Sequence, residues 1–272
     1  MPGLRTFLLP VGIFHLVYGL ISFSLFPLPR GIDPLPVVIA VASGILRTGA
    51  VSIMLYNLQK EEVSRVIPVV YTYPIFVALI AVGVLGEALT YWQWLAIIIV
   101  IAGAVMVSVR QTPAGATIWL GKPLLLLFGS SLLFALADIT SKYALTYISF
   151  WNMFSITAFC LSGGFLLVAV RPSILSKLYN LRQRSLIIAL LTFDEVLAPV
   201  GAVLLFWALE RGLVSLVSTI ASSRPVFVVI FAFILSRILP GFLQWQLGKG
   251  MLALRLLGTV MIVGGIAIIY LT

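Results

Sequence analysis

Charge is scarce in this chain: Lys, Arg, Asp and Glu together make up 9% of its 272 residues. Soluble domains carry about 25%, so a chain this poor in charge cannot cover a water-facing surface. Cysteine is nearly absent. The single Cys160 lies inside an apolar run, which excludes a disulfide framework and a Cys-based metal site and leaves a small buried or lipid-facing hydrophobe. The one histidine, His15, stands alone on its run and reads as a packed or snorkelling residue. Metal chemistry therefore lacks its ligands. Lys and Arg outnumber Asp and Glu by 17 to 8, but the basic residues form no soluble patch, so nucleic acid is not an expected partner. Glu61-Glu62 resembles a paired-glutamate protease site, yet it sits in a loop with no intramembrane histidine beside it. No glycine-rich phosphate loop follows a strand. Neither an enzyme nor a cofactor is expected.

Hydrophobicity fills the space that charge leaves: 62% of positions are apolar and the mean hydropathy is +1.20. Runs long enough to cross about 30 Å of hydrocarbon occur at 5–27, 35–58, 64–88, 91–110, 121–147, 150–171, 184–209, 213–237 and 251–271. Barrel strands alternate polar and apolar over about ten residues. These runs do not alternate, so the fold class expected is an all-α membrane protein with nine transmembrane helices. The first run has no small-residue cleavage pattern and is too long for a signal peptide, so it too reads as a span. With a cytoplasmic N-terminus, twelve Lys and Arg fall on inside flanks and only Arg30 and Arg211 outside. That bias predicts cytoplasmic loops at 59–63, 111–120, 172–184 and 238–250, with Thr272 outside.

The chain also repeats itself. A shift of 151 lays Tyr56-Asn57-Leu58-Gln59-Lys60 on Trp207-Ala208-Leu209-Glu210-Arg211 and Val63-Ser64 on Val214-Ser215. It also lays Pro74-Ile75-Phe76-Val77 on Pro225-Val226-Phe227-Val228, and Gln93-Trp94 on Gln244-Trp245. Counterpart helices run in opposite directions under the topology above, which is the inverted-repeat plan of many secondary transporters.

Pro74-Ile75-Phe76-Val77-Ala78-Leu79, then Leu85-Gly86-Glu87, Gln93 and Ala102-Gly103-Ala104 resemble the signature of the EamA-type drug/metabolite transporter superfamily. Ala208-Leu209-Glu210, Pro225-Val226-Phe227 and Gly264-Gly265 repeat it, and Ser141-Lys142-Tyr143-Ala144-Leu145 is similar to the first helix of a family repeat. The resemblance implies a ten-helix fold of two five-helix repeats around a central cavity. Residues 1–111 would form the first repeat, lacking its first helix, and 119–272 the second. Leu4-Arg5-Thr6 resembles the start of the family's second helix, so the first methionine is expected to be an internal one. Leu235-Ser236-Arg237 departs from the family's Leu-Gly-Glu.

Six ionisable residues fall inside spans: Arg47, Asp138, Lys142, Asp194, Glu195 and Arg224. Each costs roughly 2.5–3.5 kcal/mol near the bilayer centre, so six unpaired charges would exceed marginal stability. Three are positive and three negative, which permits full pairing. Two readings follow. In one, ion pairs fix helix register, Asp138 and Lys142 pairing at i,i+4. In the other, a polar midplane cavity binds a cationic or zwitterionic substrate, or exchanges it for protons, with Arg47 and Arg224 balancing the acids. The adjacent Asp194 and Glu195 point about 100° apart, so one of them faces the cavity.

Glu87 reads as structural, a carboxylate at the positive end of the helix that follows it. Pro74 and Pro225 each remove a backbone donor and are candidate hinges or static kinks. Tyr71 and Trp207 are candidate stacking residues, or ordinary packing and interfacial anchors. The expected function is a secondary transporter of small polar or zwitterionic metabolites, an exporter by family resemblance. The alternatives are a flippase for lipid-linked head groups and a non-transporting membrane assembly protein. The expected partners are a small-molecule substrate and the lipid bilayer of a bacterial or archaeal plasma membrane, with proton coupling and oligomeric state left open.

Overall fold

The computed structural model describes residues 4–61, 63–108, 122–169, 184–224, 226–227, 230–231, 234 and 249–272. Every regular element among them is helical: α1 (Leu4–Leu25), α2 (Pro34–Leu58), α3 (Val63–Val70), α4 (Tyr73–Ile80) with a π turn at Ala81–Leu85, and α5 (Tyr91–Ser108). Then follow α6 (Lys122–Ala144), α7 (Phe150–Ala169), α8 (Arg184–Arg211), α9 (Val214–Ala221) and α10 (Lys249–Leu271). Pro225 and most of the loops expected at 111–120, 172–184 and 238–250 lie outside the described residues.

Six of these helices are long and apolar enough to cross a membrane, and Tyr73–Leu85 and Tyr91–Val107 are shorter apolar segments. Their outer faces stay greasy. In the span Thr192–Arg211 only 17% of residues are buried, and Leu167 of α7 is 86% exposed. An apolar exterior of this extent needs lipid rather than water around it.

The run at 64–88 is not the single helix its length suggested. Pro74 has no N–H to give to Val70, so the helix stops and restarts. Tyr71 N–H still reaches Ile67 O at 3.0 Å, Thr72 N–H drops back to Val69 O at 3.2 Å, and Ile75 N–H opens α4 on Thr72 O at 3.1 Å. The same three bonds recur 151 residues later. Ser222 N–H donates to Ser218 O at 3.1 Å, Ser223 N–H to Ile220 O at 3.0 Å and Val226 N–H to Ser223 O at 3.0 Å. At the far end of α4, Gly86 at φ 67° ends the π turn by returning its N–H to Ala81 O, a left-handed cap that glycine adopts without strain.

The chain forms two compact units. Unit 1 comprises Met1–Gln59 and Leu136–Gly212, and unit 2 comprises Lys60–Ala135 and Leu213–Thr272. In unit 1, Leu8 and Leu9 of α1 pack on Phe165 and Ala169 of α7. At the other end of that contact Phe26 stacks on Trp151 at 4.6 Å, and Asn152 Nδ2 donates to Phe26 O at 2.6 Å. Gly44 lets α2 approach α7 so closely that an added Cβ would meet Cys160 Sγ at 2.7 Å. Cys160 is thus a packing residue, half-buried and reduced.

Unit 2 is built on a similar close approach. A Cβ on Gly103 of α5 would stand 2.6 Å from the Gly258 carbonyl of α10, the small-residue contact by which membrane helices gain van der Waals packing. Ala78, Ile97 and Ile101 form a second core cluster there. Glu87 is buried at 8% exposure, but it does not serve α5, the helix that follows it. Its carboxylate accepts from Val214 N–H, Ser215 N–H and the Ser215 hydroxyl, capping the N-terminus of α9. The expectation of a structural anion at a helix start holds, and the helix it serves is a different one.

Candidate functional site

Polar groups in unit 1 converge on one cavity. Arg47 lies 13 residues into α2, about 20 Å from its start, and Asp138 lies 16 residues into α6, about 24 Å along it at 1.5 Å per residue. Arg47 Nη2 donates to Asp138 Oδ1 at 2.7 Å, with side-chain exposures of 13% and 2%. The guanidinium also stands 5.4 Å from the Phe206 ring centroid on α8, a cation–π contact that strengthens where water is excluded. Ser43, one turn before Arg47, donates to Ala137 O at 2.8 Å and sits 2.7 Å from Ser141 Oγ. These bonds hold α2 and α6 in register beside the ion pair.

Lys142 takes a structural position. Its ammonium donates to Leu209 O and Gly212 O at 2.8 Å and to Glu210 O at 3.3 Å. A cation is favoured at a helix C-terminus, where the last carbonyls have no intrahelical donor. Glu210 in turn accepts from Phe150 N–H at 3.3 Å, at the start of α7, and from Arg211 Nη1 at 2.6 Å.

The adjacent acids part company as their helical spacing implies. Asp194 is exposed and Glu195 is buried at 4% exposure. Glu195 Oε2 has no hydrogen-bond partner and lies 3.5 Å from His15 Nδ1. His15 Nδ1 is also 2.9 Å from Val11 O. A carbonyl only accepts, so the contact assigns the proton to Nδ1 and leaves Nε2 as the changeable nitrogen.

Pro199 adds a feature that the sequence reading overlooked. Lacking an N–H, it leaves the carbonyl of Glu195, four residues earlier in α8, without its helical donor. Tyr18 of α1 supplies the missing bond, its hydroxyl donating to Glu195 O at 2.7 Å. The signal was present as a proline one helical turn after a buried acid. Naming Tyr18 as the donor needed the tertiary contact.

His15, Tyr18, Arg47, Thr157, Pro199 and Phe206, with apolar residues of α7 and α8, line a cavity of about 90 Å³. Thr157 of α7 is the other wall residue that sequence reasoning passed over; it is 4% exposed and its hydroxyl has no partner. The remaining candidates lie elsewhere. Trp207 is 46% exposed and stacks under Arg211, whose guanidinium is 4.7 Å from its ring. Tyr71 and Arg224 belong to unit 2: Tyr71 packs against Ala104, Val107, Val226 and Ile262, and Arg224 is exposed. Pro74 is buried in the first turn of α4. No group of three or more His, Cys, Asp and Glu able to hold a metal occurs among the described residues.

Long apolar helices enclosing buried charge define a polytopic helical membrane protein. Residues 8–109 match the model of the EamA-like transporter family, so the resemblance to the drug/metabolite transporter superfamily stands on that stretch. The family so matched is one of transporters. No curated protein matches the chain. Among solved structures, the crystal structure of a protein is similar with a TM-score of 0.66 at 20% identity, covering 100% of this chain and 88% of that one. That likeness shows the fold.

Proposed function

We propose that the protein is a secondary transporter that exports small polar or zwitterionic metabolites by alternating access, with the unit 1 cavity as its substrate site. One observation carries the reading: a cavity among apolar helices with Arg47, paired to Asp138, on one wall and His15, backed by Glu195, on another. Buried charge is costly in lipid, and a cavity with Arg47 on its wall and the Asp138 and Glu195 carboxylates directly behind the lining residues suits a molecule carrying both signs. The volume fits the same class. Drug-sized ligands occupy roughly 300–1,000 Å³, whereas this cavity of about 90 Å³ takes a small head group unless the helices part.

The inverted-repeat organisation, 1–111 against 119–272, belongs to this proposal. The hydrogen bonds recurring at a shift of 151 support it, as do matched lengths: α3 at Val63–Val70 and α9 at Val214–Ala221 begin and end 151 residues apart. Nine crossings with Thr272 outside complete the expected topology.

Solute counterflow tests the reading. Purified full chain in liposomes preloaded with unlabelled serine, alanine or threonine is expected to accumulate the labelled amino acid transiently. Parallel liposomes are loaded with organic cations. Exchange of cations without any zwitterion exchange, or no exchange of either, overturns the assignment.

A further inference from the structure

We propose that the cavity holds the carboxylate end of its substrate between the Arg47 Nε–H and the Thr157 hydroxyl, which makes Thr157 a specificity residue. The inference rests on the unit 1 cavity being the transport site. Both residues line the cavity, and both atoms are buried without a hydrogen-bond partner. A buried donor left unpaired is destabilising, and native structures leave few of them. Two on the wall of one cavity call for an acceptor that arrives from outside the protein.

Thr157 is unusual among the hydroxyls of these helices. Thr48 donates to Gly44 O at 2.8 Å, Thr140 to Leu136 O at 2.7 Å and Ser155 to Trp151 O at 2.9 Å, each bonding back one turn. Thr157 makes no such bond and keeps its hydroxyl available. Arg47 is held with equal definition. Nη2 is committed to Asp138 at 2.7 Å and the guanidinium carbon stands 5.4 Å from the Phe206 ring centroid, so the group is held from two sides. A planar group with two acceptor oxygens can take both donors at once.

The local charge decides which anion. Asp138 already balances Arg47, and the Glu195 carboxyl lies behind His15 on the cavity wall. A dianion such as phosphate would find too little positive charge, whereas a carboxylate carried by an ammonium-bearing molecule brings its own compensation. The cavity of about 90 Å³ has room for that end of a small amino acid.

The test uses the full chain in lipid nanodiscs, with glycine, acetate, methylamine and inorganic phosphate as probes. Thermal stabilisation is measured against probe concentration. Thr157→Val keeps the side-chain shape and removes the hydroxyl; Thr157→Ser keeps the hydroxyl. We expect glycine and acetate to stabilise the wild type and Thr157→Ser alike. Thr157→Val should weaken both by about tenfold, the loss of one hydrogen bond to a charged group, and leave the response to methylamine unchanged. Without ligand Thr157→Val should melt no lower than the wild type, since an unpaired buried hydroxyl has gone. Equal acetate and glycine affinity in wild type and Thr157→Val overturns the subsite, as does stabilisation by phosphate in preference to acetate, or by none of the four probes. Serine counterflow by the wild type separates the two failures: where it persists, only the subsite falls, and where it is absent the transport assignment falls with it.

Discussion

Asp138→Asn removes the negative charge from the Arg47–Asp138 contact with almost no change in shape. The pair is desolvated on both sides, at 13% and 2% side-chain exposure, and its atoms are 2.7 Å apart. Removing one member of such a pair leaves the other charge buried and uncompensated, which costs about 3–5 kcal/mol. The Phe206 contact is present in wild type and variant alike, so the loss expected is about 3–5 kcal/mol. Replacing both charges, as Arg47→Met with Asp138→Leu, removes the desolvation penalty along with the attraction and should bring stability back to within about 1 kcal/mol of wild type or above it. Reversible unfolding in mixed detergent and SDS micelles, followed by tryptophan fluorescence, gives both values. Wild type, Arg47→Met, Asp138→Leu and the double variant close the cycle that yields the coupling energy. A loss below about 1 kcal/mol for Asp138→Asn, the range of solvated surface pairs, would refute the reasoning that the pair is dry. The apolar double variant should also fold without transporting. Wild-type counterflow by it would remove the pair from the site.

Three further outcomes follow from particular contacts. Gly103→Ala should lower stability by about 1–3 kcal/mol in the same unfolding assay, because its Cβ would meet the Gly258 carbonyl at 2.6 Å and α5 and α10 would have to part; an unchanged curve would contradict that approach. Tyr18→Phe should cost about 1–3 kcal/mol by leaving the Glu195 carbonyl without its donor, unless Pro199→Ala is added to restore a backbone N–H. Glu195→Gln should lower amino-acid counterflow at least tenfold, whereas Asp194→Asn next to it, exposed in the structure, should leave it within about twofold. Equal effects would show that burial does not separate the two.

Much of the helical frame was legible because lipid imposes it. Apolar runs near twenty residues have few alternatives, and six of them appear as helices of spanning length and composition among the described residues. The breaks were less legible. Pro74 announced a lost donor, but not that the helix would end at Tyr71-Thr72 and restart with the proline in its first turn. That choice depends on Thr72 Oγ1 bonding back to Val69 O at 2.7 Å and on packing around Pro74. Glu87 was legible as a capping acid and not as the cap of α9, since nothing local connects residue 87 with residue 214. Trp207 was attractive as a stacking residue by type alone; its ring instead meets Arg211 one turn along the same helix.

Sorting the intramembrane charges into frame and site required their partners, and most of those partners are invisible to a sequence. The ammonium of Lys142 is held in part by three backbone carbonyls, which spacing cannot name because every residue has a carbonyl. Glu87 is satisfied by two backbone N–H groups and a serine in the same way. These charges answer open helix ends. Arg47 Nε and Thr157 Oγ1 are buried on the cavity wall without a hydrogen-bond partner, and Glu195 Oε2 lacks one too, 3.5 Å from His15 Nδ1 directly behind that wall. Ser162 Oγ shares their condition but not their location, so an unpaired atom alone does not mark a site. What marks this one is the convergence of unpaired donors from α2 and α7 on one cavity, with an acid of α8 behind its His15 wall, where a ligand carrying both signs can supply the partners that the protein withholds.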